Sequence, residues 1–253
     1  KVKGVAGCGK TTVIAHRAVN AYNRHKDRIL ILTFNITLKN LIKDRISDIM
    51  EKRDDQNFAV TNYHQFFISQ LNQTEQDFKS LINKYGVKDL FNQDLFKKLE
   101  VEKFQSILID EVQDFESDWI KIIRDNFLSS DGEMVLFGDE SQNIYERDNN
   151  RAAVIVQGFG EWKKLKHSYR TNIDSPLNQL FKDYQIRYLL EKYSDTDLFE
   201  SSNIQAGMNF DVIKYHPCQP DWENECFAKI QEYIRTYNFV PNDVVILSSN
   251  IFL

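Results

Sequence analysis

The nine residues Gly4-Val5-Ala6-Gly7-Cys8-Gly9-Lys10-Thr11-Thr12 constrain this chain more than any other stretch. They spell G-x-x-x-x-G-K-T, a phosphate-binding loop that belongs between a β-strand and the start of a helix. The glycines allow a tight turn that aims backbone N–H groups at phosphate oxygens, and the positive end of the following helix adds to the attraction. Lys10 is expected on the β- and γ-phosphates and the Thr11 hydroxyl on Mg²⁺. Gly4, Gly7, Cys8, Gly9, Lys10, Thr11 and Thr12 are therefore candidate nucleotide contacts, with ATP and Mg²⁺ as the expected cofactors. The alternative is a glycine-rich turn that binds nothing, and it has no use for Lys-Thr directly after two glycines at fixed spacing.

The rest of the chain has to supply a sheet for that loop. With 253 residues, 42% of them hydrophobic and 27% charged, it has the composition of a soluble globular protein of two domains. No apolar run is long enough to span a bilayer, and the N-terminus lacks a signal-peptide layout, so an intracellular, cytoplasmic protein is expected. Cys8, Cys218 and Cys226 form no paired C-x-x-C, and neither a disulfide framework nor a zinc site is expected. A net charge of −5 argues against a broadly basic surface but leaves room for a local basic groove. Only Lys1, Val2 and Lys3 precede the loop, which suggests a fragment of a longer protein.

Apolar runs and amphipathic helices alternate after the loop. Ile14, Ala15, Ala18, Val19 and Tyr22 recur at helical spacing, Ile29 to Phe34 suit a buried parallel strand, and Leu38, Leu41, Ile42, Ile46 and Ile49 mark a second helix. A short strand at 58–61 runs into Asn62-Tyr63-His64-Gln65-Phe66-Phe67, whose aromatic and His side chains can stack on single-stranded bases or fill a core. Residues 75–100 read as two helices parted by Gly86, within a small helical insertion at about 65–103.

The strand Phe104 to Ile109 ends in Asp110-Glu111-Val112-Gln113-Asp114, which puts two carboxylates at the C-terminal edge of a parallel sheet, where open α/β folds place their ligands. One acid can hold Mg²⁺ and the next can polarise an attacking water. The strand Glu133 to Phe137 ends in Gly138-Asp139-Glu140-Ser141-Gln142-Asn143-Ile144-Tyr145, where Gln142 could meet a γ-phosphate or a water. A composition change at Arg147 to Gly160 suggests a domain boundary. Beyond it a basic strand, Lys163 to His167, leads to Ser168-Tyr169-Arg170, and Arg170 is placed to extend a guanidinium into a nucleotide held by the first domain. The expected fold class is α/β: a P-loop NTPase, RecA-like parallel sheet with flanking helices over residues 1–160, followed by an incomplete second RecA-like domain over 161–253.

These signals, in this order, resemble the superfamily 1 helicases of the UvrD/Rep type. The likeness runs from Gly4 to about Asn172, with only the α/β alternation beyond. Gly4 to Thr12 is similar to motif I, Ile31 to Asn35 to motif Ia, and Asn62 to Phe66 to the T-F-H-x-F motif, with Asn62 in the Thr place. Asp110 to Asp114 resembles motif II, with Val112 where Ala is usual; Gly138 to Tyr145 resembles motif III and Ser168-Tyr169-Arg170 motif IV. The resemblance implies that Asp110 and Thr11 hold Mg²⁺, that Glu111 is the base, that Gln142 and Arg170 contact the γ-phosphate and that Tyr169 stacks on adenine. It implies that Phe34, Asn35, Tyr63 and His64 touch single-stranded nucleic acid. Arg147 stands near the place of the usual stacking aromatic. Motifs V and VI and an adenine-reading Gln upstream are not in the chain. The implied activity is an ATP-dependent translocase or helicase moving 3′ to 5′ on a single strand of nucleic acid, DNA being expected over RNA, and working with the remaining domains of the same protein. A P-loop switch that never meets nucleic acid and a scaffold without catalysis are the competing readings; the Gln113-Asp114 and Gln142-x-Ile144-Tyr145 elements count against the first, and intact Lys10, Asp110 and Glu111 against the second.

Overall fold

The computed structural model describes residues 1–4, 7–50, 56–74, 76–138, 158–168, 176–189, 200–201, 214–217, 222–240 and 244–245. Strand β1 (Val2–Gly4) enters the phosphate loop, and helix α1 (Lys10–His25) leaves it. Then follow β2 (Ile29–Thr33), α2 (Ile36–Met50), β3 (Phe58–Asn62), α3 (Tyr63–Gln73), α4 (Phe78–Tyr85), α5 (Val87–Leu90), β4 (Phe104–Ile109), α6 (Ser117–Phe127), β5 (Leu128–Gly138) and β6 (Lys163–Leu165). These six strands make one sheet in the order β3-β2-β4-β5-β1-β6, and every pairing is parallel.

Both faces of this sheet are covered at its centre, which is why β2 is a continuous buried apolar run and β4 nearly one, rather than alternating. Successive side chains point to opposite faces. Ile29, Ile31, Leu108, Val135 and Phe137 pack with Ile14, Ala15, Ala18 and Val19 of α1 and with Ile42 and Ile46 of α2. Leu30, Leu32, Ile107, Ile109 and Leu136 join the opposite layer, which α3 and α6 supply with Phe66, Phe67, Trp119, Ile123 and Phe127. The small residues Ala15 and Ala18 let α1 lie close to the sheet. On α2 the apolar stripe is narrower than its sequence suggests, because Leu41 is 43% exposed.

Gly86 ends α4 as expected, with φ at 78° and its N–H donating to the Ile82 carbonyl. The helix after it is a single short turn rather than a run to Glu100. The basic strand expected to open the second domain divides. Lys163–Leu165 pairs with β1 at the edge of the first sheet, and β7 (His167–Ser168) pairs with β8 (Glu200–Ser201) in a separate two-stranded sheet. A β1 with an unpaired flank would leave backbone groups unsatisfied beside the loop, and β6 satisfies them.

By compactness the chain divides into Lys1–Asp211 and Val212–Leu253. Within the first unit, helix Pro176–Tyr184 runs into a π-helical turn, Gln185–Leu189. The second contains helix Trp222–Tyr237. The sequence pattern also suggests strands at Phe210 to Tyr215 and Val244 to Leu247; their described residues, 214–215 and 244–245, carry no regular structure, and the rest of both stretches lies outside the described residues. Among the described residues no helix is long and apolar enough to cross a membrane.

Candidate functional site

The phosphate loop turns on glycine conformations. Gly7 and Gly9 have φ of 77° and 88°, in the left-handed region that side chains with a Cβ disfavour. Gly9 is also the N-cap of α1, and its carbonyl accepts from the Val13 N–H at 3.0 Å. Gly4 is needed for another reason. A Cβ there would lie 2.5 Å from Cys8 Sγ and 2.8 Å from the Leu165 carbonyl oxygen. The loop is therefore wedged between its own Cys8 and the edge strand β6. Cys8, 4% exposed, packs with Leu165 and Phe181, so it can offer a phosphate its backbone and not its thiol. Lys10 is 8% exposed, and its Nζ donates to the Gly4 carbonyl at 2.9 Å. Thr11 is half-buried and Thr12 exposed.

Parallel pairing brings the paired acids to the same edge of the sheet. Asp110 follows β4, anchored by its N–H to the Leu32 carbonyl at 2.8 Å. It is 1% exposed. One carboxylate oxygen accepts from the Glu111 N–H at 3.0 Å; the other is buried with no hydrogen-bond partner among the described residues. Burial first, and then the adjacent Glu111 charge, push its pKa well above the carboxylate range, against the opposing pull of the Glu111 N–H and of Lys10. A buried carboxylate in that condition is short of a cation. The residues fit Mg²⁺, which takes one or two carboxylates and substrate phosphates rather than an all-protein cage. Among the described residues no group of three His, Cys, Asp or Glu could hold a metal by itself.

Glu111 lies in the left-handed region, with φ 49° and ψ 50°. For a non-glycine residue that is a costly conformation of the kind found at functional sites. It swings the chain from β4 into the 3₁₀ turn Val112–Asp114. Gln113 Nε2 donates to Glu111 Oε2 at 2.7 Å.

The aromatic candidates separate. Phe34 and His64, at the ends of β2 and β3, line a cleft of about 600 Å³ with Phe91, Trp119 and the exposed Val87, Lys88 and Asp89 of α5. The His64 ring meets Phe91 and Trp119 edge-on, at 4.5 and 4.8 Å between centroids. Tyr63 does not reach the cleft and is a correction to the expected contact set. It is 1% exposed, stacks on Trp119 at 4.5 Å, and donates its hydroxyl to the Phe91 carbonyl at 2.7 Å. With both ring faces in the core it has none to offer a base, and burial, then Asp118 and Asp94, push its pKa up. Asn35 is exposed, and its side chain accepts from the Thr37 N–H and hydroxyl at the start of α2. Asn62 caps α3 by accepting from the Gln65 N–H at 2.9 Å. Gln142, Arg147, Tyr169 and Arg170 lie outside the described residues.

The cleft and the phosphate loop occupy different stretches of one edge. Counting strands from β2 to β1 at the usual inter-strand spacing puts them roughly 15 Å apart, with Asp110 between. Val87 to Asn92 and Trp119 were not legible as site residues, because only the packing of the helical insertion over α6 brings them to Phe34. Trp119 Nε1 donates to Asn92 at 2.6 Å across that contact.

Comparison with curated proteins gives no match. Among solved structures, the UvsW helicase from bacteriophage T4 is similar at 14% identity and a TM-score of 0.41, over 65% of this chain and 54% of that one. The Pif1 helicase from Candida albicans gives 13% and 0.40, over 67% and 36%; Pif1 from Bacteroides sp, in complex with ADP-AlF4, gives 14% and 0.31, over 95% and 43%. The chain thus spans from about a third to about half the length of these proteins. Scores this low carry no residue role across. The family match is firmer: residues 1–148 fit the family AAA_19, described as an AAA domain, and that is more than half of the 253 residues. With its glycine loop at the end of β1 and its acids at the end of β4, the chain belongs to the AAA domain family.

Proposed function

We propose that this chain is the nucleotide-hydrolysing core of an ATP-driven nucleic-acid translocase or helicase of the UvrD/Rep type, cytoplasmic, acting on single-stranded DNA in the 3′ to 5′ sense. The observation that carries it is the sharing of one sheet edge by the phosphate loop, the Asp110-Glu111 pair and the aromatic cleft of Phe34 and His64. A motor needs this arrangement, because the strand and the nucleotide must report to the same rigid layer.

Lys10 and the loop N–H groups bind the phosphates. Thr11 and Asp110 would hold Mg²⁺, which would supply positive charge against the phosphates. Glu111 takes a proton from water as the water oxygen bonds to the γ-phosphorus. The bond to the β–γ bridging oxygen breaks, and ADP leaves with its electron pair. Gln142 donates a hydrogen bond to the γ-phosphate and Arg170 brings positive charge to it, Tyr169 stacks on adenine and Arg147 meets the strand. The first motor domain runs from residue 1 through the edge strand β6, and the second starts beyond it.

The test is ATP turnover by the full-length protein with and without single-stranded DNA or RNA. Stimulation by DNA is expected. Turnover indifferent to either polymer would favour a P-loop switch and overturn the motor.

A further inference from the structure

We infer that Gln113 is a positioning residue for Glu111, tying the carboxylate to the end of β5; this rests on the proposed role of Glu111 as the base. The left-handed backbone at Glu111 fixes where its side chain starts, and the 3₁₀ turn is closed behind it by the Asp114 N–H donating to the Glu111 carbonyl at 2.9 Å. What remains is the direction of the carboxylate. Gln113 Nε2 sets it by donating to Oε2 at 2.7 Å, which leaves Oε1 to accept a proton from water. A carboxylate only accepts, so the nitrogen end of the amide must face it.

The other end of that amide rests on β5. A Cβ on Gly138 would lie 3.1 Å from Gln113 Oε1 and 2.8 Å from Val112 Cγ1. The side chain is thus held between the carboxylate and a backbone position where no side chain fits. Gly138 pairs in register with Lys3 of β1, one residue before the phosphate loop. Three strand ends are therefore linked in a row: the β1 loop that takes the phosphates, the glycine that ends β5, and the acid turn after β4. A shift of the β5 end relative to the loop moves the amide, and with it the base.

ATP turnover by the full-length protein tests this through kcat and KM for Gln113→Met, Gln113→Glu and Gly138→Ala. Methionine keeps the length and the packing over Gly138 but cannot donate. Glutamate keeps the shape and turns an acceptor toward Glu111. Gln113→Met should lower kcat about 10-fold or more, the scale of a lost hydrogen bond to a charged group, while KM stays within about twofold. Gln113→Glu should be slower still, and Gly138→Ala, which pushes the turn away, should also lose kcat. A merely structural role would show as a lower melting temperature with wild-type kcat in Gln113→Met, and would overturn the inference. Turnover that needs Glu111 but ignores Gln113→Met sinks the inference alone; turnover unchanged by Glu111→Gln sinks the base assignment and the inference together.

Discussion

Lys10 is the one fixed cation inside the phosphate loop, and its Nζ already lies within the turn, on the Gly4 carbonyl. Lys10→Ala should therefore weaken Mg²⁺-nucleotide binding markedly while the sheet stays folded, and titration calorimetry giving equal affinities would defeat the assignment. Asp110 supports a second expectation. Its folded-state pKa stands above the 3.8 of a free carboxyl, so the folded protein binds that proton more tightly than the unfolded one. Its contribution to stability is greatest in acid and is lost as pH rises from about that value through the raised folded one. Asp110→Asn removes the buried charge, so without nucleotide it should melt above wild type at neutral pH. It should also lose the upward melting shift that Mg²⁺-ATP is expected to give wild type. A variant that melts lower, or keeps the shift, would count against Asp110 as the metal ligand. The loop and the acids were legible from spacing alone because their chemistry tolerates few substitutes. The fates of neighbouring aromatics were not: Tyr63 and His64 are adjacent in a helix, and only packing decides that one faces Trp119 inside the core while the other edges the cleft.

At the scale of elements, apolar runs and helical spacing disclosed β2, β4, α1 and α2, since strands buried on both faces can hardly be written otherwise. The edge strand β6 was harder. Lys163-Lys164-Leu165 carries the charges that edge strands use against unwanted pairing, and nothing local says which sheet it joins. The cleft was hidden for a related reason, as its wall comes from α5, an exposed turn whose residues have no signature. Its two layers make separable predictions. Phe34→Ala and His64→Ala should weaken single-strand binding, each stacking contact being worth about 1–3 kcal/mol. Tyr63→Phe removes only the buried bond to the Phe91 carbonyl, and should cost about 0.5–1.5 kcal/mol of stability with no change in strand affinity. Fluorescence anisotropy with a labelled oligonucleotide, beside thermal melting, distinguishes them; Tyr63→Phe binding weakly at unchanged stability would restore Tyr63 to the groove.

For the whole molecule, the proposed motor needs positive charge brought to the γ-phosphate by Arg170, and a missing arginine finger costs roughly 10³–10⁵ in rate. Arg170→Ala in the full-length protein should therefore still bind nucleotide while strand displacement from a tailed duplex falls on that scale; undiminished displacement would mean that the charge comes from elsewhere. The order of strands bears on how such a chain comes into being. Strand β1 touches neither β2 nor β4; its partners are β5, through Val2 and Phe137, and β6, through Gly4 and Leu165. During synthesis the loop-bearing strand thus emerges early and waits, unpaired, for partners translated more than a hundred residues later, while β2, β3 and β4 can assemble among themselves. Long-range pairing of that kind is slow to close. Pulsed hydrogen exchange during refolding should find the amides of Ile29–Thr33 protected before those of Val2–Gly4, so that the growing protein acquires its grip on nucleotide last.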